Sequence, residues 1–451
     1  MKKLVTLLAA AGMVVAASAP ANAVDVKADA SWRLSFKTGE TGFTGENVEN
    51  IKQRLRLGLT AVASENLSGY FQFQIGKDDW GTTTNTHGAH AYKAGAGSAD
   101  ATNMTLRQSY IDWTVPGTAA KVRMGRFALG LPADAMGYGN LVFSGDWGNK
   151  EGVAVSAPVT DWLGLTAMWT RVGAEGSDTD TGLNDDLFAV VADLKFNGVS
   201  GSVYAAYAAL DGSEQFGSAF VNADGDWGTS GTNFQVAEGK AYWVGFTSTL
   251  SAFDPFTLKL SAAYGAFEAD NDFGGMLPET DGWHVQAMAS YKLGFGTPFV
   301  GAWYMSGADK DGEGYIPSIG GYFTPTRTYH DAAKGLCGSQ QFGLPSGNWG
   351  VQAGIEGVSF LSGLSHEFKV TYMEGTNEDG AYIANQAKSG WALTEEDSLV
   401  EFDLVNTYKI YKNLSAHLEL SYIISDFGGE NTKATLTEDD WRAELTFQYK
   451  F

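Results

Sequence analysis

The chain has 451 residues, with 52 Asp and Glu against 30 Lys and Arg and a formal net charge of −22. That balance argues against nucleic acid as a partner, because phosphate binding needs clustered Lys and Arg. A single cysteine excludes an internal disulfide framework, and 57 glycines with 13% aromatic residues are unusual for a soluble enzyme.

The first 23 residues read as a secretory signal peptide. Lys2 and Lys3 form a basic start, Leu4 to Ala17 an apolar stretch, and Ala21-Asn22-Ala23 a small-x-small cleavage site before Val24. Removing them takes the formal charge to −24. Beyond Ala23 no long uncharged apolar stretch remains for a membrane-spanning helix.

From residue 24 the dominant signal is period two, the mark of a strand with one apolar and one polar face. In "VDVKADASWRLSFK", Val26, Ala28, Ala30, Trp32, Leu34 and Phe36 alternate with Lys27, Asp29, Ser31, Arg33, Ser35 and Lys37. "IKQRLRLGLTAVA" places Leu55, Leu57, Leu59 and Ala61 on one face and Lys52, Arg54 and Arg56 on the other. The same alternation runs through "WHVQAMASYKL", "LVEFDLVNTYKIY", "NLSAHLELSYII" and the final "DWRAELTFQYKF". Strands are expected at 24–37, 50–63, 67–77, 103–115, 119–127, 151–158, 162–173, 185–196, 199–210, 239–250, 255–267, 281–293, 297–306, 347–357, 364–374, 398–411, 413–425 and 440–451. Helical periodicity is absent.

The connections alternate in length. "SENLS", "PGTA", "PVTD", "NGVS", "AFDP", "GFGT" and "KNLS" are tight turns, whereas 78–102, 128–150, 211–238, 268–280, 307–346, 375–397 and 426–439 are long and Gly/Asp/Asn-rich. This is an all-β, up-and-down antiparallel meander. Aromatic residues near strand ends (Trp32, Trp113, Trp169, Trp283, Tyr291, Tyr408, Trp441, Tyr449) match two interfacial girdles. Lipid tolerates no open sheet edge, and no plug domain is evident to cover one. The expectation is a single transmembrane β-barrel over 24–451 with eighteen strands, or sixteen if two weaker segments are loop, and a water-filled lumen. Its last strand, ending at Phe451, would pair with its first.

On these features the chain resembles Gram-negative outer-membrane porins of the trimeric general-diffusion type, and in style is similar to porins of sulfate-reducing bacteria. "LTFQYKF" resembles their assembly signal through Phe447, Tyr449 and Phe451, which implies the barrel-assembly machinery as a partner. "RLRLGLTAVASENLSGYFQFQIG" and "KVRMGRFALG" resemble the second-to-third strand unit and the strand that launches the constriction loop. The resemblance implies that the third loop, 128–150, folds inward, with Asp134 and Asp146 facing Arg54, Arg56 and Arg126, and Lys52 and Arg123 nearby. The family loop carries a tighter acidic cluster than these two aspartates. Opposed charges across a narrow neck would set up a transverse field that orients dipolar solutes. The resemblance also implies a homotrimer, to which small outward residues such as Ala28, Ala30, Ala61 and Ala63 would contribute.

Other features carry less. "HGAH" (His87, His90) has no companion ligands in spacing. Asp309, Asp311 and Glu313, and Glu268, Asp270 and Asp272, could hold divalent cations such as calcium beside lipopolysaccharide, but an EF-hand is excluded because its twelfth position is Gly320. Cys337 has no partner in sequence. No nucleophile elbow, HExxH or phosphate-binding glycine loop occurs, and no cofactor is expected. His284 and His417, the latter near Glu419, are the only hints of a barrel enzyme. The expected function is a passive outer-membrane channel for small hydrophilic solutes and ions. A substrate-selective channel of the same fold is the alternative, with a barrel enzyme or adhesin behind it.

Overall fold

A computed structural model describes residues 24–40, 47–80, 92–93, 103–132, 134–140, 142–143, 150–174, 184–211, 238–270, 279–310, 313–319, 322–323, 325–326, 347–379, 393–428 and 439–451. The signal-peptide segment 1–23 lies outside the described residues.

Eighteen long strands form one antiparallel barrel. The first six are β1 (Asp25–Glu40), β2 (Asn47–Ser64), β3 (Leu67–Asp79), β4 (Asn103–Thr114), β5 (Lys121–Phe127) and β6 (Lys150–Pro158). Next come β7 (Leu163–Ala174), β8 (Asn184–Phe196), β9 (Val199–Asp211), β10 (Glu238–Phe253), β11 (Phe256–Ala269) and β12 (Thr280–Tyr291). The last six are β13 (Thr297–Met305), β14 (Asn348–Leu361), β15 (Leu364–Gly375), β16 (Asp397–Tyr411), β17 (Leu414–Phe427) and β18 (Asp439–Lys450). Every strand pairs with its sequence neighbours, and β18 returns to β1 with Trp32 opposite Tyr449 and Leu34 opposite Phe447. The Ala30 N–H donates to the Phe451 carbonyl at 2.8 Å and the Phe451 N–H to the Ala30 carbonyl at 3.1 Å. The sheet therefore has no free edge, as the alternation at both ends of the chain requires. All eighteen predicted segments are strands, so the sixteen-strand version falls away.

Tight turns gather at one end of the barrel. Asn197–Gly198 joins β8 to β9 with Gly198 at φ 71°, and Ser362–Gly363 joins β14 to β15 with Gly363 at φ 81°. Both are two-residue hairpin links in which glycine takes the positive φ that matches strand twist. The strand ends that the long connections join lie at the other end.

Alternation sorts the side chains. Phe71, Ile111, Val155, Val190, Val203, Val244, Val285, Val300, Phe402, Leu420 and Ile424 all point outward and are exposed. So wide an apolar belt is stable against lipid and not against water. The polar partners of these residues point inward.

The lumen differs from the expected open, polar interior. Two long connections fold into it and meet. Gly139–Asn140 of the 128–149 connection pairs antiparallel with Tyr322–Phe323 of the 306–347 connection, and the Ile319 N–H donates to the Val142 carbonyl at 2.9 Å. Leu131, Met136, Val142, Phe143, Ile316, Ile319 and Phe323 bury themselves against the inner faces of β8–β16, including Leu187, Tyr204, Trp243, Trp303, Met305 and Met373. The apolar core of this molecule is thus inside the barrel. The 128–149 connection folds inward as expected; the addition is that described stretches of the 306–347 connection join it there, because that part of the wall is itself apolar.

Candidate functional site

The plug is anchored to one side of the lumen. The carboxamide oxygen of Gln286 on β12 accepts from the Ala135 and Met136 N–H groups, both at 3.2 Å, and Gln352 on β14 accepts from the Tyr138 hydroxyl at 2.5 Å. The second connection is held by Trp243 Nε1 donating to the Pro317 carbonyl at 2.7 Å and by Lys369 Nζ donating to the Pro325 carbonyl at 2.6 Å. These anchors lie on β10–β15, so the lumen narrows from that side. The wall of β16–β18 and β1–β5 stays polar.

That polar wall is ordered in two fields. On β15–β18, Asp397, Glu401, Asp403, Glu419, Asp440 and Glu444 point inward and are buried. Lys369 pairs with Asp403 at 3.2 Å and Arg442 with Glu444 at 2.6 Å. Register brings Glu419 directly opposite Glu444, and Glu444 directly opposite Lys37 on β1. On β1–β4 the field is basic. Arg33 stands opposite Arg54, Ser35 opposite Lys52, and Arg56 opposite Gln74. Arg56 Nε donates to the Gln74 carboxamide oxygen at 3.0 Å, and Arg107 Nη1 reaches the same oxygen at 3.4 Å. With its carboxamide turned, Gln448 accepts from Arg33 Nε at 2.7 Å and Nη2 at 3.1 Å. Arg33, Lys52, Arg56 and Arg107 are half-exposed while the acids are buried. Lumen water therefore meets guanidinium groups more than carboxylates.

The sequence-derived candidates divide accordingly. Lys52, Arg54 and Arg56 point inward on β2, within the basic field. Arg123 also points inward, nearer the turn end, where it forms a bidentate pair with Asp112 (2.7 and 2.8 Å) and lies 4.1 Å over the Tyr110 ring. Arg126 does not share its face. Three residues apart on a strand means opposite sides, so Arg126 points outward beside exposed Met124 and pairs with Glu151 at 2.5 Å. Its expected place in the constriction is corrected on that ground.

Asp134 lies on the inward loop, but its carboxylate is used within the loop. Oδ1 accepts from the Met136 N–H at 2.8 Å and Oδ2 from the Gly139 N–H at 2.6 Å. It shapes the loop tip and does not face the arginines, which corrects the opposed-charge expectation. Asp146 lies outside the described residues. Phe447, Tyr449 and Phe451 alternate outward at the seam, with the Tyr449 and Phe451 rings 5.5 Å apart.

His284 is buried against the edge of Phe323, and among the described residues neither ring nitrogen has a hydrogen-bond partner. His417 bonds to the hydroxyls of Thr407 (3.0 Å) and Ser415 (2.8 Å). Asp309 accepts from the Glu313 N–H at 2.9 Å, and Asp270 pairs with Lys240 at 3.3 Å. Among the described residues no group of three His, Cys, Asp or Glu converges as a metal site. His87, His90, Asp272, Asp311 and Cys337 lie outside them. Sequence reading passed over Arg33 and Arg107 as site residues, although Arg33 stands on the polar face of the first alternating strand.

No family model and no curated protein matches this chain. Solved structures do. Pseudomonas aeruginosa OccK9 (OpdG) superposes with a TM-score of 0.58 at 14% identity, covering 95% of this chain and 98% of its own. Pseudomonas aeruginosa OpdK, solved with vanillate, gives 0.56 at 14% over 95% and 98%. Acinetobacter baumannii OccAB4 gives 0.54 at 12% over 95% and 98%. At such identities the likeness concerns the fold: this chain is a closed eighteen-strand antiparallel barrel built like these channels.

Proposed function

We propose that the protein is an outer-membrane channel selective for small anionic solutes, which cross passively down their gradient. The observation that carries this reading is the half-exposed basic field of Arg33, Lys52, Arg56 and Arg107 on the open side of a lumen narrowed by two inward connections. Guanidinium groups recognise carboxylates and oxyanions by paired hydrogen bonds, and in a narrow passage they act at short range and low dielectric. The outward apolar belt and the fold shared with OpdK and OccAB4 support a membrane channel over an enzyme or adhesin. The vanillate in the OpdK structure is a carboxylate, the class of solute such a row would take. A plugged, one-sided path favours selectivity over the general diffusion that the sequence resemblance implied.

The reading includes export by a cleaved signal before Val24, insertion by the barrel-assembly machinery through the terminal strand, contact with lipopolysaccharide, and a homotrimer. N-terminal sequencing and native mass measurement test the first and last of these. The test of selectivity is solute flux into proteoliposomes. Uptake of a small carboxylate saturates with concentration and loses saturation when Arg33, Arg54 and Arg56 are replaced by Gln. Linear uptake in the unaltered protein, equal to that of a neutral solute of the same size, contradicts the proposal.

A further inference from the structure

Below the basic field, towards the turn end, the inner wall changes character. One row across the sheet reads Thr60, Tyr70, Tyr110, Gly125 and Gly152, each directly opposite the next. The Tyr70 and Tyr110 rings lie 5.3 Å apart at an interplanar angle of 39°, and both are half-exposed. Phe127 meets Tyr110 edge-on at 6.0 Å and the Arg123 guanidinium covers one face of its ring at 4.1 Å, so Tyr110 is held from β5 with that face already occupied.

Beside the rings the wall carries a glycine, and neighbouring side chains fold over it. At Gly58, one row nearer the basic field, an added Cβ would come within 2.5 Å of both the Tyr70 hydroxyl and an Asp29 carboxylate oxygen. Glycine there lets Tyr70 and Asp29 approach each other across the strand. Gln72 Nε2 donates to the Tyr70 hydroxyl at 3.0 Å. Arg123 and Lys121 are both engaged by Asp112, at 2.7 and 2.9 Å.

We propose that Tyr70 and Tyr110 form a stacking subsite for a hydroxylated ring of the pyranose type. Such a ring presents an apolar C–H face, which an aromatic surface covers, and a rim of hydroxyls. The rim meets Gln72, Asp29 and the tyrosine hydroxyls, a set of acceptors and donors fitted to hydroxyl groups. A carboxylate has no such welcome, since Asp29 and Asp112 flank the rings and Asp112 already occupies the nearby cations. The inference requires only that the lumen conducts. It goes beyond the anion selectivity proposed above.

The experiment is current block in planar bilayers with three probes: D-glucose, the open-chain hexitol sorbitol and D-glucuronate. Glucose is expected to reduce the ion current saturably, while sorbitol, with a similar number of hydroxyls and no ring face, does so at least about tenfold more weakly. Replacing both tyrosines by Leu should weaken glucose block by about tenfold with ion conductance preserved, and the double Phe variant should retain most of it. Equal block by glucose and sorbitol, or unchanged glucose block in the Leu variant, overturns the proposal. If the Leu variant fails to assemble, Gly58→Ala alone, whose Cβ crowds the Tyr70 hydroxyl and Asp29, serves instead: preserved glucose block there overturns the proposal. Glucuronate separates the two readings. If it binds no more tightly than glucose, anion selectivity fails while the stacking subsite stands.

Discussion

Arg33 on β1 lies directly opposite Arg54 on β2, and both side chains point into the lumen. Like charges at opposed positions of a sheet are destabilising, and folding alone gives no reason to place them there. Glu419 opposite Glu444 repeats the arrangement with the other sign two strands away around the wall. Neither pair is needed to close the barrel, since the outward faces and the backbone ladder do that. The acid pair is buried, with Glu444 tied to Arg442, whereas Arg33 is half-exposed, so under the proposed function it is the basic pair that a passing anion meets.

Relieving the first pair therefore separates stability from function. Arg54→Gln should leave the barrel as stable or raise its stability by up to about 1 kcal/mol, seen as an unchanged or higher unfolding temperature by heat-shifted electrophoresis. The same variant should carry smaller anion selectivity. A clear fall in unfolding temperature would mean that Arg54 is held by interactions that outweigh the repulsion.

The inward loop depends on two amides. Gln286 accepts from the backbone of Ala135 and Met136, and Gln352 from the Tyr138 hydroxyl. Replacing both by Leu removes three hydrogen bonds between loop and wall, each contributing about 0.5 to 1.5 kcal/mol net, while the Met136 N–H keeps Asp134 and the Ala135 N–H keeps Ser261. The loop tip should leave the wall, so single-channel conductance rises and becomes noisier. Unchanged conductance would show that the apolar contacts of Met136 and Phe143 seat the loop unaided.

Lys369 and Asp403 form a buried pair at 3.2 Å, and Lys369 also holds the Pro325 carbonyl. Lys369→Met strands a carboxylate in the interior and should cost about 3 to 5 kcal/mol. Combining it with Asp403→Leu should recover much of that loss. Additive losses in the double variant would point to the Pro325 anchor as the main contribution of Lys369.

Burial holds the Asp134 carboxyl above its ordinary value, opposed by the N–H groups of Gly139 and Met136. A carboxyl raised in the folded state contributes stability that is complete below the unfolded value of about 4 and is lost as pH rises through the folded value. Asp134→Asn removes that titration. The unfolding temperature of the unaltered protein, taken relative to the Asn variant, should fall as pH rises above about 4. A relative rise over the same window contradicts the assignment.

The barrel was legible in the sequence because each lipid-facing strand must keep period two over about ten residues. The inside was less so. Arg123 and Arg126 share the motif that suggests lumen residues, yet three positions along a strand place them on opposite faces. Asp134 matched the expected acidic loop in type, but an aspartate two residues before a free N–H can serve its own turn instead. The plug left a trace that alternation obscured. "LFAVVADL" on β8 and "VYAAYAAL" on β9 are apolar on both faces, as strands covered on both sides are. "YIPSIGGYF" in the 306–347 connection supplies the apolar residues that cover them. Arg107 could not be placed from sequence, because a bulge in the β3–β4 pairing between Gln72 and Phe73 shifts the inward positions of β4 by one.

The most direct test of a basic, anion-selective path is the reversal potential of single channels in a potassium chloride gradient. The unaltered protein should favour chloride, and replacing Arg33, Arg54 and Arg56 together by Gln should move the reversal potential towards that of potassium. Cation preference in the unaltered channel, or a reversal potential indifferent to the three replacements, would contradict the account.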